Sequence, residues 1–346
     1  MTYALLFASS FALSCIFTWL MKIIASACDI TDKPTEARKI HTQPIPLLGG
    51  IGIFAAFCVI IALLLFFSGT RNLIIDAHVR LWNVFGLILG GFFLIIGGFL
   101  DDRYNLKPHQ QIIWPMLASF CVIASGIGIH ILTNPFGGVI DLTGSIWSNV
   151  LTFAWLLTAI YTTKFLDGLD GLVSGITVIG SGIIALISIF FFINIPTAHL
   201  ATISAGVYAG FLLWNFHPAK IFLGEAGSTL AGYLLGVLAI ISGAKLATAL
   251  LILGIPILDA AHVIIRRVII ERRSPFKGDR KHIHFRLYDR GCTHRQTVII
   301  LYCIAAFFGF AALFLQSSQK VTALFVVVLL MVLLSFTFKK KTADTR

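Results

Sequence analysis

Apolar stretches long enough to cross a hydrocarbon core of about 30 Å recur almost from end to end of this 346-residue sequence. They fall near residues 3–27, 47–67, 79–100, 112–132, 150–166, 172–193, 199–216, 227–242, 246–265, 297–315 and 321–338, eleven in all, the seventh and eighth being short. Composition agrees: 58% of residues are hydrophobic and 12% charged, about half the charge of a soluble domain. The expected fold is all-α, a polytopic transmembrane helical bundle forming one integral-membrane domain over 1–346, with a basic loop at 266–296 inside it.

Lys and Arg counts orient the bundle, because cytoplasmic ends collect positive charge. With the N-terminus outside, one face holds only Arg71, Arg80, Lys245 and Lys320, and the other holds the remaining 22 of the 26. That assignment requires an odd number of spans and a cytoplasmic C-terminus. The net charge of +11 partly records this asymmetry, and with no soluble basic domain it does not imply nucleic acid as a partner. Met1-Thr2-Tyr3 lacks a basic leader and the first span exceeds a signal-peptide core, so it is expected to be retained. The six cysteines show no CxxC or His-bearing metal spacing, and the absence of an internal repeat weakens a transporter reading.

Ionisable residues at membrane depth are costly and mark sites. The chief cluster is Lys164-Phe165-Leu166-Asp167-Gly168-Leu169-Asp170-Gly171, between the fifth and sixth spans with almost no connector. If that stretch is helical, Asp167 and Asp170 share a face, and Gly168 and Gly171 leave it open to a ligand; the bland alternative is a tight Asp-Gly turn. The third span ends in Asp101-Asp102-Arg103, where adjacent carboxylates repel and one suits a general base, unless Arg103 and Lys107 merely neutralise them. Arg38, Lys39 and His41 read first as a positive-inside anchor and alternatively as a holder of an anionic headgroup or diphosphate.

Further along, Ser228 is the expected N-cap of the eighth span. Glu225 before it serves either as a hard oxygen ligand for Mg²⁺ or as an acid on the helix dipole. Asp259 is expected to pair with Arg266 or Arg267. In the loop beyond, His282, His284 and Arg286 share one face if the segment is extended, a donor array for a diphosphate or sugar. Thr293-His294-Arg295-Gln296 fits a capping box. All these clusters lie at the cytoplasmic ends of spans, where an enzyme joining a water-soluble substrate to a lipid would work; a carrier would place them near the midplane. Carboxylates with Arg, Lys and His are the parts of phosphoryl transfer.

Gly98-Phe99-Leu100-Asp101-Asp102, Leu166-Asp167-Gly168-Leu169-Asp170-Gly171, Phe222-Leu223-Gly224-Glu225-Ala226-Gly227-Ser228 and His282-Ile283-His284 occur in the order used by the polyprenyl-phosphate N-acetylhexosamine-1-phosphate transferases, which the chain resembles over nearly its whole length. It looks more like the undecaprenyl-phosphate GlcNAc-1-phosphate transferases than the phospho-MurNAc-pentapeptide branch. The resemblance implies transfer of a sugar 1-phosphate from a UDP-sugar to a polyprenyl (undecaprenyl) phosphate, with release of UMP and Mg²⁺ as cofactor. It also implies a multi-pass protein of the bacterial inner membrane with a cytoplasmic site, and leaves a homodimer open. By the same resemblance, Asp101 would deprotonate or orient the lipid phosphate, with Asp102 in support. Asp167, Gly168 and Asp170 would organise the nucleotide pocket and Phe222 would lie near the uracil. Glu225 would ligate the metal, and His282, His284 and Arg286 would contact sugar and diphosphate. Apart from the resemblance, Lys107, Arg38 and His41 are expected to join in substrate binding through their charge.

Three positions depart from that pattern: Lys164 stands where the family has Asn, Glu225 where it has Asp, and Phe285 where it has His. The first two bear on the metal, and Lys164 and Glu225 are expected to pair across the pocket. A phospho-MurNAc-pentapeptide transferase, a proton-coupled carrier and a non-catalytic binder of phosphorylated lipid or nucleotide are the alternatives.

Overall fold

The computed structural model describes residues 1–34, 43–134, 137–191, 193–243, 248, 250–251, 253–270, 272 and 282–337. Arg38, Lys39 and His41 lie outside them. The helices are α1 (Thr2–Ala27), α2 (Gly49–Phe66), α3 (Leu81–Tyr104), the single turn α4 (Pro108–Gln111), α5 (Ile113–Ala124), α6 (Ile146–Leu166) and α7 (Leu172–Phe190). They continue with α8 (Ile195–Asn215), α9 (Gly224–Ile241), α10 (Gly254–Ile265), α11 (Ile283–Asp289), α12 (His294–Phe314) and α13 (Ser317–Thr337). Among the described residues, seven are long and apolar enough to cross a membrane: α1, α2, α3, α7, α8, α9 and α12. The 21-residue α6 is less apolar because four threonines, Ser148, Asn149 and Lys164 interrupt it.

The fourth apolar stretch is not one helix. α5 ends at Ala124, Gly126 turns the chain at φ +88°, and Ile131–Thr133 then pairs antiparallel with Val139–Asp141. Hydropathy is blind to that difference, since a short apolar run fits a strand as well as a helix. The ninth stretch is described only from Leu253 onward, as α10 followed by a π turn over Arg266–Ile270.

Helix α9 is the axis of the bundle, and its glycines and those of its neighbours explain why. A Cβ at Gly98 of α3 would sit 2.2 Å from the Ala226 backbone, one at Gly50 of α2 would sit 2.2 Å from Gly227 N, and one at Gly232 would sit 2.2 Å from the Ala159 carbonyl of α6. Small residues let backbones approach where lipid gives helices no hydrophobic reason to associate. Side-chain hydrogen bonds lock the same contacts: Tyr233 donates to the Leu87 carbonyl of α3 at 3.0 Å, Trp155 Nε1 of α6 to the Gly236 carbonyl at 3.0 Å, and Tyr208 of α8 to the Gly227 carbonyl at 3.0 Å. The ends of α3 and α6 are thereby drawn to the start of α9, where the acidic motifs sit.

Candidate active site

The start of α9 is capped from another helix. Asp102, in the last turn of α3, accepts the Glu225 amide on Oδ1 at 2.9 Å. Gly224, at φ +69°, leaves the room for it, because a Cβ there would fall 2.3 Å from Asp102 Oδ2. Ser228 is therefore not the N-cap: the helix begins four residues earlier, and the Ser228 hydroxyl donates to the Gly224 carbonyl at 3.1 Å. Asp102 Oδ2 is buried with no hydrogen-bond partner among the described residues.

Asp101 takes a different set of donors. Its Oδ1 accepts the Leu106 amide at 2.8 Å and Gln111 Nε2 at 2.9 Å. The other end of the same amide accepts Lys164 Nζ at 3.0 Å, and Lys164 forms an ion pair with Glu225. The lysine also lies over the Tyr161 ring, 5.7 Å from its centroid. Asp101, Gln111, Lys164 and Glu225 thus form one continuous chain of polar contacts across α3, α4, α6 and α9. The pairing of Lys164 with Glu225 expected from their joint departure is present. Gln111 carried no signal in the sequence, being one glutamine of two in a polar step before an apolar run. Around this chain lies a cleft lined by Asp101, Gln111, Glu225 and Thr229 at its polar end and by Leu94, Trp114 and Pro115 at its apolar end.

Asp167 and Asp170 do not share a helix face. α6 stops at Leu166, Gly171 at φ +79° precedes α7, and the five residues between are non-helical. Asp167 opens on solvent at the mouth of the site, yet dense protein around it strips its hydration. Together with the nearby Glu225 and Asp170 carboxylates, this pushes its pKa up to about 8. Asp170 turns the other way: its Oδ2 meets His217 Nδ1 at 2.7 Å and accepts the Ala219 amide at 3.1 Å. His294, at the start of α12, stacks on His217 with centroids 4.0 Å apart and reaches the Asp170 carbonyl at 3.4 Å. The capping box around it is present, but His294 has this second task, and neither it nor His217 was marked as a site residue by spacing. Asp170, His217 and His294 offer donor atoms within 4.8 Å of one another; the 2.7 Å bond and the stacked rings show these donors already serving each other.

The histidine segment is a short helix, not an extended strand. Asp259 of α10 accepts the Ile283 amide at 2.9 Å and His282 Nδ1 at 2.8 Å, which caps α11. His282 and His284 nonetheless lie on one side, their rings 5.6 Å apart and nearly parallel, because His282 precedes the helix and its side chain is held back by Asp259. His284 is fully buried, with both ring nitrogens unpartnered among the described residues, and burial pushes its pKa down to about 3. Its Nε2 lies 2.3 Å from where a Gly168 Cβ would be, so the space at Gly168 admits this imidazole and not a ligand. Phe285 packs on His284 at 4.4 Å, and Arg286 is half-buried on α11. Phe222 is half-buried, with its amide on the Pro46 carbonyl at 2.8 Å and its carbonyl on the Gly49 amide at 3.1 Å. Lys107 is exposed at the start of α4. Beside Asp167 and His284, a small apolar pocket is lined by Leu166, Ile176, Ile283, Leu301 and Phe308.

The Mg²⁺ implied by the resemblance does not fit this donor set. The residue at the Asn position is an ammonium, which donates and has no lone pair for a metal, and it lies on the carboxylate that would be the metal's ligand. Asp101 Oδ1 and Asp102 Oδ1 are each committed to backbone amides.

A family model described as glycosyl transferase family 4 matches residues 84–243, which include α3, α6 and the start of α9. The chain is similar to a probable undecaprenyl-phosphate N-acetylglucosaminyl 1-phosphate transferase of Bacillus subtilis, 29% identical over 325 residues that cover 92% of this chain and 86% of the relative. A decaprenyl-phosphate N-acetylglucosaminephosphotransferase of Mycobacterium leprae is 29% identical over 326 residues, covering 85% and 79%. An undecaprenyl-phosphate alpha-N-acetylglucosaminyl 1-phosphate transferase of Thermotoga maritima is 28% identical over 327 residues, covering 94% of both.

Proposed function

We propose that the chain moves N-acetylglucosamine 1-phosphate from a UDP-sugar to a polyprenyl phosphate in the membrane and releases UMP, because the glycosyl transferase family 4 model matches residues 84–243 and the similarity to N-acetylglucosaminyl 1-phosphate transferases runs over most of the chain. The observation that carries this reading is the meeting of the third-span acids, Asp167, Glu225 and the His282–His284 segment at one end of the bundle, around α9. The phosphate of the lipid enters the cleft at Asp101, whose free oxygen accepts a proton or orients the attacking phosphate. The nucleotide diphosphate lies toward Asp167 and α11, whose Arg286 supplies a fork of donors. The apolar cavity between Leu166 and Phe308 takes the first isoprene units. The site faces the cytoplasm of a bacterial inner membrane, as the distribution of Lys and Arg supports.

The test is UMP release from UDP-GlcNAc by the full chain in nanodiscs on addition of undecaprenyl phosphate, with UDP-GalNAc and UDP-MurNAc-pentapeptide as competitors. Release with UDP-GlcNAc alone supports the reading, and release only with the pentapeptide nucleotide overturns the choice of sugar. A non-catalytic role is the second reading, favoured by the ion pair at the metal positions; nucleotide binding without UMP release under every cation condition would establish it.

A further inference from the structure

Glu225, Gln111 Oε1 at 3.0 Å and the face of Tyr161 surround the Lys164 ammonium. The Lys164 and Glu225 side chains are 17% and 19% exposed, so the pair is largely out of water but still within reach of a ligand in the adjoining cleft. Asp101 and Asp102 lie on the same network, one through Gln111 and the other through the Glu225 amide. Carboxylates gathered this closely need a cation among them. The fold supplies one covalently, on α6, hydrogen-bonded and fixed in direction. A divalent ion on Glu225 would meet that ammonium at bonding distance, and like charges at such range exclude one another.

We propose that Lys164 is the resident cation of this site. It stands where a divalent ion would otherwise sit, and it transfers its contact from Glu225 to a phosphate oxygen of the incoming ligand. Only the nature of that anion rests on the transferase reading; exclusion of a divalent ion from Glu225 stands on the contacts themselves. A lysine serves here as a compact point charge, and Gln111 prevents it from rotating away when the ligand enters. The arrangement also explains the joint departure of two positions. Glutamate is one methylene longer than aspartate, and that length lets a carboxylate on α9 reach an ammonium on α6.

The test uses the full chain in nanodiscs, with Mn²⁺ as the probe because its free ion is counted directly by electron paramagnetic resonance. The wild type and Lys164→Arg are expected to take up no Mn²⁺ at this site. Lys164→Asn combined with Glu225→Asp, which restores an oxygen donor set, is expected to take up roughly one per chain. UDP affinity of the wild type is expected to change less than about two-fold in excess EDTA. That of the double variant is expected to fall about ten-fold or more, equivalent to roughly 1.4 kcal/mol. Stoichiometric Mn²⁺ uptake by the wild type that Glu225→Gln abolishes would overturn the proposal, as would wild-type UDP binding that vanishes in EDTA and returns with Mg²⁺. The wild-type arms need no variant to fold, and thermal unfolding checks those that are used. A wild type that takes up no Mn²⁺ and binds no UDP under any condition overturns the transferase reading while the cation assignment stands.

Discussion

The imidazole of His284 lies directly on Gly168, its Nε2 2.3 Å from the point a Cβ would occupy. Two motifs more than a hundred residues apart are thus fitted to each other by the absence of a side chain. Gly168→Ala is expected to push His284 and α11 away, at a cost of about 1–3 kcal/mol for overpacking. UMP release should fall as well, because the displaced α11 carries Arg286. Gly168→Ala together with His284→Ala should unfold at a higher temperature than Gly168→Ala alone, because neighbouring substitutions that share a contact are not additive. Thermal unfolding and the UMP assay read the two effects separately.

Gln111 links Asp101 to Lys164 through the two ends of one amide. Gln111→Ala leaves both partners short of a hydrogen bond, a loss of about 1–3 kcal/mol in stability, and kcat/KM is expected to fall because Asp101 and Lys164 are no longer held in place. Gln111→Glu cannot donate to Asp101 and is expected to lose at least as much. Unchanged turnover in either variant would remove this residue from the site.

Asp102 has a task that its position beside Asp101 did not reveal: it caps α9 through the Glu225 amide. Asp102→Ala is expected to cost about 1 kcal/mol or somewhat more, as for other N-caps. Asp102→Asn, which keeps the accepting oxygen, should stay near wild-type stability. Gly224→Ala is expected to be the more damaging change, because it meets both the left-handed backbone at φ +69° and Asp102 Oδ2. Chemical denaturation in detergent would rank the three.

For Asp167 the folded pKa of about 8 lies above its ordinary value of 3.8, so folding favours the protonated form. The stability this contributes is fully present below pH 3.8 and is lost as pH rises through about 8. The melting temperature of the wild type should therefore fall relative to that of Asp167→Asn between pH 5 and 8, with the difference level beyond. Ionisation of Asp167 also adds a negative charge at the mouth, so UDP affinity should weaken over the same range in the wild type alone. A constant difference between the two proteins across this window would contradict the shift.

Much of the architecture was legible because hydropathy registers span length directly, and the convergence of Asp101, Asp167, Glu225 and His284 followed from motif order. The Lys164–Glu225 pair could be read from chemistry, since a cation and a lengthened acid changed together. Other contacts had no one-dimensional trace. Asp259 holds His282, 23 residues away, a contact to which spacing along the chain gave no pointer. Alternation over His282–Arg286 suggested a strand, but a cap from Asp259 made a helix of it. The shared face expected of Asp167 and Asp170 failed because α6 stops at Leu166, before either of them, and α7 begins only at Leu172, beyond both. His217 and His294 met only through the packing of α12 on α7, where Tyr302 donates to the Gly171 carbonyl.

The enclosure of α9 restricts how this protein can move. A rod gripped backbone-to-backbone by α2, α3 and α6 through Gly50, Gly98 and Gly232 cannot slide or tilt without dislodging three others at once. Packed interfaces of this kind occupy discrete arrangements and do not deform smoothly. Alternating access works by rocking one half of a bundle against the other, and here the pivot itself is clamped. Whatever opens and closes during a catalytic cycle therefore belongs to the periphery of the bundle and not to its axis.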